Sequence, residues 1–155
     1  EFRPEIEALV KSLDIQHAVK FGGFVSKEEL IKRLQNAHIG TVTIVRNPEA
    51  DLVHTYKMFE YMAMGKPVVI SRTTAVEYYF DDTMLQFFDA GSPRALADAV
   101  IDLAEHPEKR LTMAKNALSG LERFSLEKQY ANVRQMIDYV MGKADARQYV
   151  NAANG

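Results

Sequence analysis

Two patterns of hydrophobic residues alternate along this chain. In some segments the apolar residues recur with the period of a helix, and in others they form short unbroken runs. The segment YKMFEYMAM is apolar on almost every side apart from Lys57 and Glu60, and it predicts a buried helix. Gly65 can adopt the left-handed conformation that ends a helix, and Pro67 prevents the helix from continuing. The run PVVIS that follows is typical of a parallel strand buried on both faces. The two segments together predict the centre of an α/β fold.

The same patterns recur before and after this centre. Further short strands are predicted over residues 18–25, 39–45 and 85–88. Helices are predicted over residues 4–13, 26–37, 74–80, 92–105, 107–123 and 125–142. Ser26 with Glu29, and Thr74 with Glu77, have the spacing of capping boxes, whereas Ser92 caps a helix with proline at its first position.

The alternation of strands and helices predicts a Rossmann-like α/β fold, in which helices flank a parallel sheet. A doubly wound nucleotide-binding sheet has about six strands, whereas four are predicted here. We therefore expect a sheet that lacks its first strands and carries a C-terminal helical extension. Residues 1–142 are predicted to form one partial domain, and residues 143–155 a flexible tail.

Composition narrows the class of protein. The 21 acidic and 19 basic residues nearly balance, which argues against a nucleic-acid partner. The chain has no cysteine, which excludes disulfides and thiolate metal ligands. No apolar run approaches the roughly 18 residues of a membrane span, and no signal peptide precedes the first helix. We expect a soluble, cytoplasmic domain.

Candidate chemistry lies at the carboxyl ends of the predicted strands, where open α/β sheets bind ligands. The central helix begins near Lys57, and its first turn offers free backbone N–H groups and the positive end of a dipole, which suit a phosphate. A cation there opposes the dipole by roughly 0.3–1 kcal/mol, and a bound anion would offset that cost. The alternative is a Lys57–Glu60 ion pair on the surface, worth a few tenths of a kcal/mol.

The segment KMFEYMAMGKPVVIS resembles the nucleotide-sugar-binding half of GT-B glycosyltransferases, in particular the large retaining family four. Residues 19–25 (VKFGGFV) are similar to a V-x-F-x-G-x-V strand of that family, and residues 37–45 and 106–125 are similar to a later strand and the closing helices. The resemblance implies the C-terminal, donor-binding domain of a hexosyltransferase. Such an enzyme transfers a sugar from a UDP or GDP sugar to a hydroxyl group with retention of configuration, without a metal or cofactor.

The resemblance also implies roles for individual residues. Glu60 corresponds to the second of two motif glutamates and would accept hydrogen bonds from the ribose hydroxyls, as an ionised carboxylate can. Lys57 would meet phosphate charge, and with Glu60 it is the catalytic candidate. The position of the first glutamate holds Leu52 instead, so Glu49 or Asp51 of the same loop would have to supply that contact.

Two further segments are donor-binding candidates by the same resemblance. Val53, His54 and Thr55 align with the segment whose backbone amides hold the diphosphate. The segment that lines the base aligns with Gly23, Phe24 and Val25. Gly22-Gly23 also indicates a tight turn or a close backbone approach on its own.

Other interpretations stay open at this point. A nucleotide-sugar 2-epimerase shares the fold and the ribose-binding glutamate, and a non-catalytic Rossmann-like interaction domain would explain Leu52. The acceptor site is implied to belong to an N-terminal domain absent from this chain, through which peripheral membrane association is conceivable. The fragment alone is then expected to be inactive. Glu77 is interpreted first as a helix cap, and Asp81-Asp82 as a helix end or turn.

Overall fold

The computed structural model describes residues 2–143. The predicted flexible tail therefore lies outside the described residues, apart from its first position. The chain divides into two compact units, residues 1–36 and residues 37–155, and each is described by itself.

The first unit consists of two helices joined by an irregular segment that contains turns at residues 13–14 and 16–18. Helix α1 spans Arg3–Ser12 and helix α2 spans Lys27–Asn36. The amide of Glu29 donates to Ser26 Oγ at 3.3 Å, which confirms the predicted cap of α2. Val10 is the one buried side chain among the described residues of this unit, so its apolar core is minimal.

The strand predicted over residues 18–25 is not formed. A strand is stable only when a neighbour pairs its backbone groups, and no described strand pairs with this segment. Gly23 has a φ of +61°, in the left-handed region that interrupts an extended chain. The prediction of a strand over residues 18–25 was therefore wrong. Its apolar residues suit a strand, but the segment has no neighbouring strand with which to pair.

The second unit contains a parallel sheet of three strands. Strand β1 spans Gly40–Val42, β2 spans Val68–Ser71 and β3 spans Gln86–Phe88. Their order is β1-β2-β3, and both neighbouring pairs are parallel. The prediction of a parallel sheet with a C-terminal helical part is confirmed, with three strands rather than four.

Five helices accompany the sheet between residues 37 and 143. They are α3 (Tyr56–Ala63), α4 (Thr74–Tyr79), α5 (Pro93–Glu105), α6 (Pro107–Gly120) and α7 (Leu126–Val140). Short 3₁₀ turns occupy Ala50–Leu52 and Leu121–Phe124, so α6 ends three residues earlier than predicted. Gly65 has a φ of +64° just beyond α3, which confirms it as the residue that ends this helix.

Helices cover both faces of the sheet because β2 is apolar on both. Val68 and Ile70 pack on one face with Met58 and Met62 of α3, and all four are fully buried. Val69 points to the other face. It belongs there to a second cluster, whose further buried members are Phe88, Ala99, Leu103 and Met113. The unbroken apolar run that marked β2 in the sequence is thus explained by burial on two sides.

The caps of the helices follow local sequence with one exception. Ser92 and Ser125 accept hydrogen bonds from the backbone amides of Ala95 and Lys128. The capping box predicted for α4 is not formed, because the helix begins one residue after Thr73 and Thr73 makes no side-chain cap. Glu77, interpreted as a cap, instead pairs with Arg72, with 2.6 Å between Nη1 and Oε1.

Candidate functional site

The ends of the three strands define one edge of the sheet, here called the carboxyl edge. Because the strands are parallel, the segments that follow β1, β2 and β3 all leave from this edge. Two hydrogen bonds join them there. The amide of Ile44 donates to Ser71 Oγ at 2.8 Å, and the amide of Arg72 donates to the Phe88 carbonyl at 2.9 Å.

Helix α3 begins after the loop that leaves β1 at this edge. Thr55 is its N-cap, and its Oγ1 accepts a hydrogen bond from the Met58 amide at 3.4 Å. The amides of Tyr56 and Lys57 would need carbonyl acceptors four residues back, before the helix begins, so helix geometry gives them no partner within α3. The start of α3 therefore offers N–H donors together with the positive end of a helix dipole.

Lys57 and Glu60 are exposed on the first turns of this helix. Neither side chain forms a hydrogen bond or an ion pair with any residue in the range 2–143. The alternative predicted from spacing, a Lys57–Glu60 surface ion pair, is therefore not formed. Both charges remain available to a ligand.

Asp51 is occupied by contacts within the protein. Its Oδ2 accepts from the Thr74 hydroxyl at 2.5 Å, and its Oδ1 accepts from Arg46 Nε at 3.0 Å. These contacts, the Thr74 hydrogen bond first, hold the pKa of Asp51 below its ordinary value. Asp51 thus joins its loop to the start of α4. Of the two acids that could replace the first motif glutamate, Glu49 is the one whose side chain is unpaired in the described structure. Leu52, at the position of the first motif glutamate, is 70% exposed.

An aromatic cluster surrounds His54, and sequence patterns did not reveal it. The imidazole packs edge-to-face against Phe59, Tyr79 and Phe80, with ring centroids 5.9, 5.2 and 6.4 Å away. Phe124 closes the cluster at 5.3–5.4 Å from these three phenylalanine and tyrosine rings. His54 Nδ1 is buried and has no hydrogen-bond partner within residues 2–143, and burial lowers the pKa of this residue.

Arg72 is a second cation at the carboxyl edge that sequence reasoning missed. Its guanidinium group pairs with Glu77 and, at 3.1 Å, with Asp82, and it lies 4.6 Å from the centre of the Phe87 ring. A cavity of about 400 Å³ beside β3 and α5 is lined in part by Arg72. Because Arg72 is already paired with two carboxylates, Lys57 is the cation that the described site leaves unpaired.

Asp81 accepts from Thr83 in a tight turn, as predicted.

The residues predicted to line the base lie in the first unit. Gly23 and Phe24 are exposed in the segment before α2, and Val25 is half-buried. Their role in lining the base stays a prediction. Val53, His54 and Thr55 lie immediately before α3, so the second unit brings these three together with Lys57 and Glu60.

Residues 2–143 contain neither a metal-binding cluster nor a membrane-spanning helix. No group of three or more His, Cys, Asp or Glu side chains is arranged to hold a metal ion there. Within the same residues, no helix has the length and apolar content needed to cross a membrane.

The chain has the architecture of open α/β proteins. In this class, a parallel sheet presents helix N-termini at its carboxyl edge, which is where such proteins bind ligands. A family model described as glycosyl transferase-like matches residues 6–139. The chain belongs to this family. No curated protein matches the sequence significantly.

Solved structures show the same fold. Sucrose-phosphate synthase from Thermosynechococcus elongatus matches with a TM-score of 0.72 and 20% identity, over 92% of this chain and 35% of that one. HepE from Anabaena, solved with UDP and glucose, matches with a TM-score of 0.70 and 19% identity, over 91% of this chain and 36% of that one. The C-terminal domain of LpcC, a glycosyl transferase group 1 family protein from Francisella tularensis, gives 0.67 and 19%, over 81% and 63%.

The chain therefore spans between about one third and two thirds of these structures. The predicted α/β fold and the predicted glycosyltransferase family are confirmed.

Proposed function

We propose that this chain is the donor-binding part of a glycosyltransferase that moves a sugar from a nucleoside diphosphate sugar to a hydroxyl group. The observation that carries the proposal is the pair of unpartnered charges, Lys57 and Glu60, on the first turns of α3 at the carboxyl edge. Structures of HepE with UDP and with UDP-glucose support a uridine donor by analogy of fold.

The chemistry of the two charges suits the two halves of such a donor. Glu60 is an acceptor-only carboxylate and can receive both ribose hydroxyls. Lys57, together with the amides at the start of α3, can meet the charge that grows on the leaving diphosphate. Interactions that strengthen as this charge develops lower the barrier to transfer rather than only binding the donor.

The finer parts of the proposal rest on the family resemblance. Transfer with retention of configuration, without a metal or cofactor, remains a prediction, as does a cytoplasmic location. The acceptor site and any membrane contact are assigned to a further domain of a longer protein. The 155 residues alone are accordingly expected to show no turnover and weak nucleotide affinity.

The proposal is tested by calorimetric titration of UDP and GDP sugars into the full-length protein and its Glu60→Ala variant. Loss of a charged hydrogen-bond acceptor should weaken binding by about 10-fold or more. Glu105→Ala is the matched control, because Glu105 is exposed at the far end of α5 and should bind donor normally. Equal binding by the wild type and Glu60→Ala, or no binding by either, would remove the proposed site.

Leu52 favours a second candidate, a domain that binds a partner or nucleotide without transferring sugar. Its exposed isobutyl group stands where the family resemblance implies an acid, and Asp51, bonded to Thr74, is not free to replace that acid, which leaves Glu49 alone to do so. A turnover assay on the full-length protein separates the two candidates. Donor binding without release of nucleoside diphosphate in the presence of acceptors would favour the non-catalytic domain, and an epimerised nucleotide sugar would identify the 2-epimerase alternative.

A further inference from the structure

Asp51 joins two loops at the carboxyl edge through a single carboxylate. It lies in the 3₁₀ turn of the loop that leaves β1, whereas Thr74 is the first residue of α4, after the loop that leaves β2. The Thr74 hydroxyl donates to Asp51 Oδ2 at 2.5 Å, and the Thr74 amide donates to Oδ1 at 3.3 Å. Arg46 Nε also donates to Oδ1, and only 19% of the Asp51 side chain is exposed. Both carboxylate oxygens are therefore used within the protein.

These bonds supply the cap that α4 lacks in its own sequence. Thr73, at the N-cap position, makes no side-chain cap, and its hydroxyl is buried without a hydrogen-bond partner among the described residues. Amides in the first turn of a helix have no acceptor within the helix, and a carboxylate is a strong acceptor for them. Asp51 thus takes the place of a local cap from 23 residues earlier in the chain.

The backbone is ordered on both sides of this contact. Val76 and Phe80 of α4 are buried in the same apolar cluster as β2, so α4 is held against the sheet. In the loop, Asn47 Oδ1 accepts hydrogen bonds from the amides of Glu49 and Ala50 at 3.1 and 2.7 Å, which holds the backbone there in a turn. The carboxylate therefore connects two well-defined pieces of backbone.

The segment between Asp51 and α3 runs alongside α4. Asp51 bonds to the first residue of this helix, and the His54 ring contacts Tyr79 at its end, with ring centroids 5.2 Å apart. α4 has six residues and is about 9 Å long, and three residues of chain span about 10 Å at most. Leu52 and Val53, between the two contacts, are exposed. The course of this segment is therefore set by the contacts at its two ends, and little by burial of its own side chains.

We infer that Asp51 is a positioning residue for the donor. Through Thr74 it holds residues 52–57, and with them the first turn of α3, in the conformation that binds the nucleoside diphosphate. The inference rests on the proposed function, and it assigns Asp51 to positioning, with no contact to the ligand. Without this bond the segment has other conformations open to it, and the apparent affinity falls with the fraction of molecules that stay competent to bind. A competent fraction of about one tenth weakens binding about 10-fold.

Substitutions on both sides of the bond test this role in calorimetric titrations of the full-length protein with UDP and GDP. We expect Asp51→Ala and Thr74→Val each to bind the preferred nucleotide about 3- to 10-fold more weakly. The double variant should bind no more weakly than Asp51→Ala alone, because both substitutions break the same bond. Thr74→Ser retains the hydroxyl and should bind within about twofold of the wild type. Asp98→Ala is the matched control, since this carboxylate pairs with Arg94 within one helix and joins no loops.

Hydrogen exchange of the same proteins gives a second readout. The amides of residues 50–52 are hydrogen-bonded within the loop, and they should exchange faster in Asp51→Ala than in the wild type. The amides of β2 should exchange at the same rate in both proteins, because the bond holds a loop and not the core. Faster exchange throughout the sheet would assign Asp51 a general role in stability and overturn the inference.

The binding data can refute the inference in two further ways. Weaker binding by Asp51→Ala with normal binding by Thr74→Val would mean that Asp51 contacts the ligand itself. Equal binding by Asp51→Ala and the wild type would show that the bond does not position the donor, and it would leave the proposed function intact. Failure of the wild type to bind either nucleotide would instead overturn the proposed function, and the inference with it.

Discussion

Individual side chains at the carboxyl edge fall into two groups, those that the fold has paired and those that it leaves free. Asp51 and Arg72 are held by hydrogen bonds and ion pairs that connect consecutive loops. Lys57 and Glu60, on the helix between those loops, have no partner in the described part of the chain. The paired residues shape the edge, and the free residues are the ones suited to binding.

At the residue scale, His54 should make stability depend on pH. Burial lowers its native pKa below the ordinary value of 6.5, so between these two values the unfolded chain binds more protons than the native one. Stability is then fully present above about pH 6.5 and falls as the pH drops through this window. Urea midpoints of the wild type and His54→Phe at pH 8, 7, 6 and 5 measure the effect. The wild type should lose more stability than the variant below pH 6.5, and parallel curves would contradict the prediction.

Packing between elements depends on close approach at one glycine. A Cβ on Gly40 of β1 would lie far inside van der Waals contact with three ring carbons of Tyr61 on α3. Tyr61 thus lies directly against the backbone of the strand. The contact explains why a glycine can open a buried strand that would otherwise favour a β-branched residue.

At the element scale, Gly40→Ala should therefore destabilise the second unit. Overpacking of this kind costs about 1–3 kcal/mol in the free energy of unfolding, as measured by urea denaturation. Thr41→Ala, on the exposed side of the same strand, is the matched control and should change stability little. In a Tyr61→Ala background the cost of Gly40→Ala should largely disappear. A cost that persists without the Tyr61 ring would mean that the clash is not its cause.

For the whole molecule, the two units differ in how much apolar surface they bury. All four residues of β2 are buried, and two apolar clusters cover the sheet on both faces. In the first unit, by contrast, Val10 is the single buried side chain among the described residues. Since burial is the main source of stability, protection of backbone amides should differ between the units in the same way.

Hydrogen exchange of the 155-residue chain tests this expectation. Amides of β2 should exchange slowest, and amides of residues 2–36 should exchange fastest, by orders of magnitude. Uniform protection across both units would contradict this prediction.

Sequence alone determined those features that depend on a few neighbouring residues. Ser26, Ser92 and Gly65 were assigned correctly, because a cap or a left-handed helix end acts within one turn of backbone. The apolar run of β2 was equally clear, since burial on both faces leaves no polar position. The motif on α3 was sufficient to predict the family, as the match over residues 6–139 confirms.

Tertiary structure decided the features that require a particular partner. Residues 18–25 have the composition of a strand, but a strand forms only beside a neighbour with which to exchange hydrogen bonds. Asp51 bonds to Thr74 and His54 packs against Tyr79, and neither pairing is visible in local spacing. Hydrophobic periodicity specifies which side of an element is buried, whereas the identity of the atoms that cover it is fixed only when distant segments meet.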